Sequence, residues 1–142
     1  SEGNTQWYHS YKYKEFNYTA SSMEYSVILR LAEQYLIRAE ARAKQGDLIG
    51  AKEDLNRIRK RAGLTDTEAV SSQEIINAVL RERRWELFTE YGQRFFDLKR
   101  SGEIDNTLSN VKISWNSTDV LFPLPQNELS INPKLRPQNS GY

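Results

Sequence analysis

The chain has 142 residues, with 20 Lys and Arg against 19 Asp and Glu, so its formal net charge at pH 7 is +1. This balance excludes the strong basic field of nucleic-acid-binding proteins, so no nucleic-acid partner is expected. Hydrophobic residues make up 38% and aromatic residues 11%, too much for a disordered chain. Cysteine is absent, which excludes disulfides and thiolate metal sites, and no apolar run approaches the 18 residues of a membrane span.

The N-terminal segment, residues 1–25, alternates polar and aromatic side chains. A period of two residues is clearest over residues 11–16 and is typical of extended backbone. The segment is therefore predicted to be an extended arm.

The next segment has the apolar periodicity of two helices joined by a tight turn. Over residues 26–45, apolar side chains recur at steps of three and four: Ile28, Leu31, Ala32, Tyr35, Ala39 and Ala43. Gly46 is predicted to end this helix, and Asp47 to cap a second one that runs to about Ala62. Because so short a connection forces two antiparallel helices into contact, a helical hairpin is predicted. The positions that fit the tetratricopeptide spacing are Tyr35, Ala39, Ala51, Leu55 and Ile58.

A third, long helix is predicted after a capping box formed by Ser71 and Glu74, with a bend or break at Gly92 and a short continuation to the Ser101–Gly102 stop. Residues 103–142 are rich in Asn, Ser and Pro, and their four prolines exclude a long helix. Short strands are predicted at residues 111–115 and 120–122.

The predicted fold is thus all-α: a tetratricopeptide-like hairpin, a further long helix and an extended Pro-rich strap. We expect one domain over residues 1–142, made of an arm (1–25), a helical body (26–102) and an irregular strap (103–142). The strap is expected to dock on the helices through its apolar side chains.

Three carboxylates, Glu82, Glu86 and Glu90, recur at four-residue steps and are predicted to share one helix face. Adjacent carboxylates can raise one another's pKa for acid–base catalysis, or hold a divalent cation. The favoured alternative is a structural ion-pair network in which Arg83, Arg94 or an arginine of the first helix pairs with them, since buried charges are partnered. A glycosidase needs two carboxyls facing across a cleft, which one helix face does not provide, so neither a catalytic residue nor a metal site is predicted.

The aromatic residues are the candidate ligand contacts. Sugar rings present C–H faces that stack on Trp and Tyr, while their hydroxyls bond to amides and carboxylates. The positions able to do this are Trp7, Tyr8, Tyr11, Tyr18 and Trp115, with Asn116 and Asp119 beside the last. The alternative is that these rings pack on the helices, and Trp85 is predicted to lie in the core or at its rim. His9, the only histidine, has no orienting partner in sight and is not predicted to be catalytic.

Four sequence blocks, in order, resemble the SusD/RagB family of nutrient-binding outer-membrane lipoproteins. They are LAEQYLIRAEA (31–41), LNRIRKRAG (55–63), ERRWELFTEYGQRFFDLKR (82–100), and LFPLPQNEL (121–129) followed by NPKLRPQNSGY (132–142). The third block departs from the family's usual Glu-Gly-x-Arg by one additional residue, Tyr91.

The resemblance implies the C-terminal portion of a non-catalytic, surface-exposed outer-membrane lipoprotein whose lipid anchor lies outside this sequence. Such a protein captures a glycan or another nutrient, uses no cofactor, and passes the ligand to a SusC-like TonB-dependent transporter. Two alternatives stay open: a cytoplasmic tetratricopeptide-type protein-interaction scaffold, which predicts further helix pairs at a period of about 34 residues, and a glycan-cleaving enzyme.

Overall fold

The computed structural model of the protein describes Lys12 and residues 27–142. The chain forms two compact units, Ser1–Arg94 and Phe95–Tyr142. The described residues contain helices and no strand, which confirms the all-α prediction. The predicted arm, Lys12 apart, lies outside these residues, and the division into a single domain with arm, body and strap stays a prediction. None of the helices in residues 27–142 is long and apolar enough to span a membrane.

The first unit is built on the predicted helical hairpin. Helix α1 spans Leu31–Lys44 and helix α2 spans Leu48–Arg61, and the two pack against each other. Gly46, with φ +87°, supplies the left-handed turn, and the Asp47 carboxylate caps α2 by accepting the Gly50 N–H at 2.9 Å. The first helix begins later than predicted, at Leu31. Ile28, counted in the predicted apolar face, lies exposed in irregular backbone before the helix.

A small apolar core lies where α1, α2 and a third helix meet. Ala39 and Ala51 are fully buried at the crossing of α1 and α2, where small side chains let the helix axes approach closely. The large fully buried side chains around them are Leu36, Leu55, Ile75 and Val79. The first unit therefore has one continuous core supplied by three helices.

Helix α3 spans Ser72–Glu86 and begins at the predicted capping box. Ser71 Oγ accepts the Glu74 N–H, and the Glu74 carboxylate accepts the N–H groups of Ser71 and Val70, each at 2.9 Å. These backbone hydrogen bonds, from Ser71 first, hold the pKa of Glu74 below its ordinary value.

The third helix ends earlier than the bend predicted at Gly92. Thr89 and Tyr91 have φ values of 64° and 42°, and Gly92 has 68°, so the backbone leaves the helix in a left-handed turn. Glu90 consequently lies in this turn. The prediction that Glu90 shares one helix face with Glu82 and Glu86 is therefore wrong.

Helix α4 spans Gln93–Ser101 and leads into the second unit. There, helix α5 (Ile104–Leu108), helix α6 (Gln126–Ile131) and two 3-10 turns (Ser117–Val120 and Pro133–Leu135) alternate with irregular backbone. The apolar side chains buried in this unit are Leu98, Ile104 and Leu129.

The prediction of two short strands, at residues 111–115 and 120–122 of the second unit, is wrong. The N–H groups of Val111 and Trp115 bond to the carbonyls of Leu108 and Lys112, so turns use these backbone groups locally. Residues 121–124 are instead bonded by side chains of the C-terminus. Gln138 bonds both the N–H and the carbonyl of Leu124, at 2.7 and 2.9 Å, and Asn139 donates to the Phe122 carbonyl at 2.7 Å.

Candidate functional site

The three glutamates singled out by the sequence lie at the C-terminal end of α3 and in the turn after it. Glu82 pairs with Arg59 of α2 at 3.1 Å, Glu86 pairs with Arg30 and Arg61, and Glu90 pairs with Arg30 and Lys12. Glu82 and Glu90 are buried. Each of the three carboxylates thus has at least one cation in contact.

Arg30 joins the start of α1 to the end of α3, and Lys12 binds at the same end of α3. Arg30, the residue before α1, donates to both Glu86 and Glu90. The Lys12 ammonium donates to the backbone carbonyls of Glu86 and Phe88, at 2.9 and 3.2 Å, as well as to Glu90. A cation at this position satisfies carbonyls that a helix C-terminus leaves without partners.

The two arginines named from sequence have different positions. Arg83 is buried and contacts Glu33 of α1 at 3.2 Å and the Gln93 amide oxygen at 3.3 Å. Arg94 lies half-buried near the start of α4. The cations that contact the three glutamates include Arg30, an arginine of the segment predicted as the first helix, in agreement with one of the predicted alternatives. The others, which the sequence analysis did not name, are Lys12, Arg59 and Arg61, each more than 20 positions away from its glutamate.

A second ion-pair cluster, missed from the sequence, joins α1 to α2. Both carboxylate oxygens of buried Asp54 accept hydrogen bonds from Arg38, each at 2.7 Å, and Arg42 adds a third at 2.9 Å. The bond from Arg38 is the main cause that lowers the pKa of Asp54 and raises that of Arg38. Among residues 27–142 and Lys12, His, Asp and Glu side chains form no group of three or more suited to a metal ion.

The candidate ligand residues of the second unit lie together at one turn. Trp115 is half-buried, its indole N–H donates to Asp105 at 2.8 Å, and the Lys112 ammonium lies 5.7 Å from the ring centroid. The Asp119 carboxylate accepts the N–H of exposed Asn116 at 2.9 Å. Trp7, Tyr8, Tyr11 and Tyr18, the other candidates, lie outside the described residues, as does His9.

Comparison with known sequences identifies the family. The family model described as SusD family matches residues 1–119. The chain is 36% identical over 126 residues to the starch-binding protein SusD of Bacteroides thetaiotaomicron, covering 81% of this chain and 21% of that protein. It is 31% identical over 130 residues to a SusD-like protein of Formosa agariphila, covering 82% and 24%.

Comparison with solved structures agrees. The crystal structure of a SusD-like protein from Bacteroides fragilis matches with a TM-score of 0.68 and 32% identity, over 82% of this chain and 26% of that one. The chain belongs to the SusD family, and it spans about a quarter of the length of the relatives it matches.

Proposed function

We propose that this chain is part of a non-catalytic, glycan-binding component of a nutrient-uptake system. The observation that carries the proposal is the match of its helical body to SusD-like proteins, one of which is named as starch-binding. The binding protein is placed at the surface of the outer membrane by a lipid anchor. It passes its ligand to a SusC-like TonB-dependent transporter.

In this proposal the first unit acts as a scaffold. The ion pairs of Glu82, Glu86 and Glu90 set the register of the three helices. The three carboxylates pair with cations and have no role in proton transfer. Capture is non-covalent, so the expected signature is stacking and hydrogen bonding without turnover.

The sugar contact in the second unit is assigned to the turn that carries Trp115. A ring held at its edge by Asp105 is a rigid surface for stacking, and the exposed Asn116 amide can bond the hydroxyls of a sugar lying on it. The proposal extends to Trp7, Tyr8, Tyr11 and Tyr18 as further stacking residues and to Asp119 as a hydrogen-bond acceptor.

Calorimetric titration of the 142-residue chain with a panel of soluble polysaccharides, together with a reducing-end assay, tests the proposal. We expect binding with no release of reducing ends, and Trp115→Ala should raise the Kd of the bound glycan by roughly fivefold through loss of stacking. Phe96→Ala, which removes another exposed ring of the same unit, is the matched control and should leave the Kd unchanged.

The outcomes separate the alternatives. Release of reducing ends would contradict the non-catalytic assignment, and failure of every glycan to bind would contradict the proposed function. A Trp115→Ala variant that binds as well as the parent chain would remove Trp115 from the site.

A further inference from the structure

A cleft in the first unit carries groups that the proposal above does not use. It has a volume of about 780 Å³ and lies between α3 and the loop over residues 64–70. Asn77, Arg81 and Trp85 line its helical wall at four-residue steps, so they share one face of α3. Thr65, Thr67 and Glu68 lie on the loop side.

Trp85 is not part of the apolar core. It is 54% exposed, and its indole N–H has no hydrogen-bond partner among the described residues. The exposed indole beside the cleft presents an apolar face on which a ligand ring can stack.

The polar groups beside Trp85 are also without strong partners. Arg81 forms no ion pair with a described residue, and neither does Glu68. The Asn77 amide oxygen accepts a bond from Gln73 at 3.1 Å, which leaves the Asn77 NH₂ group available. Other charged groups of the cleft are engaged, for example Asp66 with Lys60 at 3.1 Å.

We infer that this cleft is a second saccharide subsite, with Trp85 as the stacking surface and Arg81, Asn77 and Glu68 as the hydrogen-bonding groups. The inference rests on the proposed function, since the class of ligand comes from it. A pyranose ring presents one C–H face to the indole and hydroxyls around its rim. Those hydroxyls accept bonds from Arg81 and Asn77 and donate to Glu68.

The charge of the cleft favours a neutral sugar over an acidic one. Two arginines line it, Arg59 and Arg81, against three carboxylates, Asp66, Glu68 and Glu74, so there is no positive excess to attract a uronic acid or a sulfate ester. An apolar peptide is disfavoured because the exposed apolar side chains of the lining are only Trp85 and Val70.

The test uses calorimetry on the 142-residue chain with maltoheptaose, cellohexaose and laminarihexaose, and with an oligogalacturonate as the acidic comparison. For the neutral oligosaccharide that binds, Trp85→Ala should raise the Kd roughly tenfold, and Arg81→Ala severalfold. Phe88→Ala and Arg84→Ala are the matched controls. Phe88 is also 54% exposed, Arg84 is an exposed arginine of the same helix, and neither lines the cleft.

Circular dichroism melts show whether each variant is folded, and Trp85→Tyr, which keeps a stacking ring, should restore part of the affinity. Binding of a neutral oligosaccharide that is unchanged in Trp85→Ala and Trp85→Tyr overturns this subsite while the proposed function stands. Tighter binding of the oligogalacturonate than of the neutral oligosaccharides overturns the assignment of the cleft to neutral sugars. Failure of the entire panel and of polysaccharides to bind overturns the proposed function together with the subsite.

Discussion

Asp54 illustrates how one carboxylate fixes a helical pair. It is buried between α1 and α2, and it receives two bonds from Arg38 and one from Arg42. Its pKa is lowered relative to the unfolded chain, chiefly by the bond from Arg38. Ionised Asp54 therefore stabilises the folded chain fully at pH values above about 4, the pKa of an Asp in the unfolded chain. This stabilisation is lost as the pH falls through the lower pKa that Asp54 has in the folded chain.

Asp54→Asn should therefore lower the free energy of unfolding at pH 7 by roughly 1–3 kcal/mol, because it removes charge-assisted hydrogen bonds at a buried position. Urea titrations at pH 7 and at pH 3 measure the effect, which should shrink at the lower pH.

Glu53→Gln is the matched control, because Glu53 is exposed and has no ion-pair partner among the described residues. If Asp54→Asn lowers the free energy of unfolding by the same amount at pH 7 and at pH 3, the proposed link between Asp54 ionisation and stability is contradicted.

At the scale of the elements, the close crossing of α1 and α2 depends on Ala39 and Ala51, both fully buried. The turn through Gly46 and the Asp47 cap determine where the second helix starts, and so which residues meet at the crossing. Local chemistry and packing agree at this hairpin, which is typical of a segment that folds reliably.

Ala39→Trp should separate the two helices, since a ring placed at a close crossing has no space. Overpacking of this kind costs about 1–3 kcal/mol, so the thermal midpoint should fall by several degrees. Ala41→Trp places the same ring on an exposed position of α1 and serves as the control. Equal melting temperatures for the two variants would show that Ala39 is not at the crossing.

At the scale of the whole molecule, the two compact units differ in the number of apolar side chains that are buried. The first has a core of ten buried apolar residues from three helices. In the second, three apolar side chains are buried, and much of the backbone is bonded through turns and side chains. Few buried contacts allow local opening at a low free-energy cost.

Amide hydrogen exchange should consequently be slowest at Leu36, Leu55 and Val79, and faster by orders of magnitude in α5 and α6. Mass spectrometry of peptic peptides after timed deuteration measures the difference. Helix α6 has only six residues and one buried apolar side chain, Leu129, so its amides should exchange fast. Equal protection of the amides of α2 and α6 would contradict this prediction.

The hairpin, the capping box at Ser71 and the all-helical class could be predicted because each depends on signals within a few residues: apolar periodicity, a capping side chain and a glycine at a left-handed turn. The end of α3 could not be predicted in the same way. The apolar pattern continues through Phe88 and Tyr91, while the backbone turns away with positive φ at Thr89 and Tyr91. Strand propensity at residues 111–115 likewise yielded to local turn hydrogen bonds, since no partner strand is present in the described residues.

The family resemblance, carried by four ordered blocks, and the helical hairpin could both be predicted from the amino-acid sequence, because both depend on short-range patterns. The full set of cations that contact Glu82, Glu86 and Glu90, and the position of Trp85 at a cleft instead of in the core, are seen only in the three-dimensional structure. The physical reason is that ion pairs and clefts join side chains far apart in the chain, and their partners are selected by helix packing.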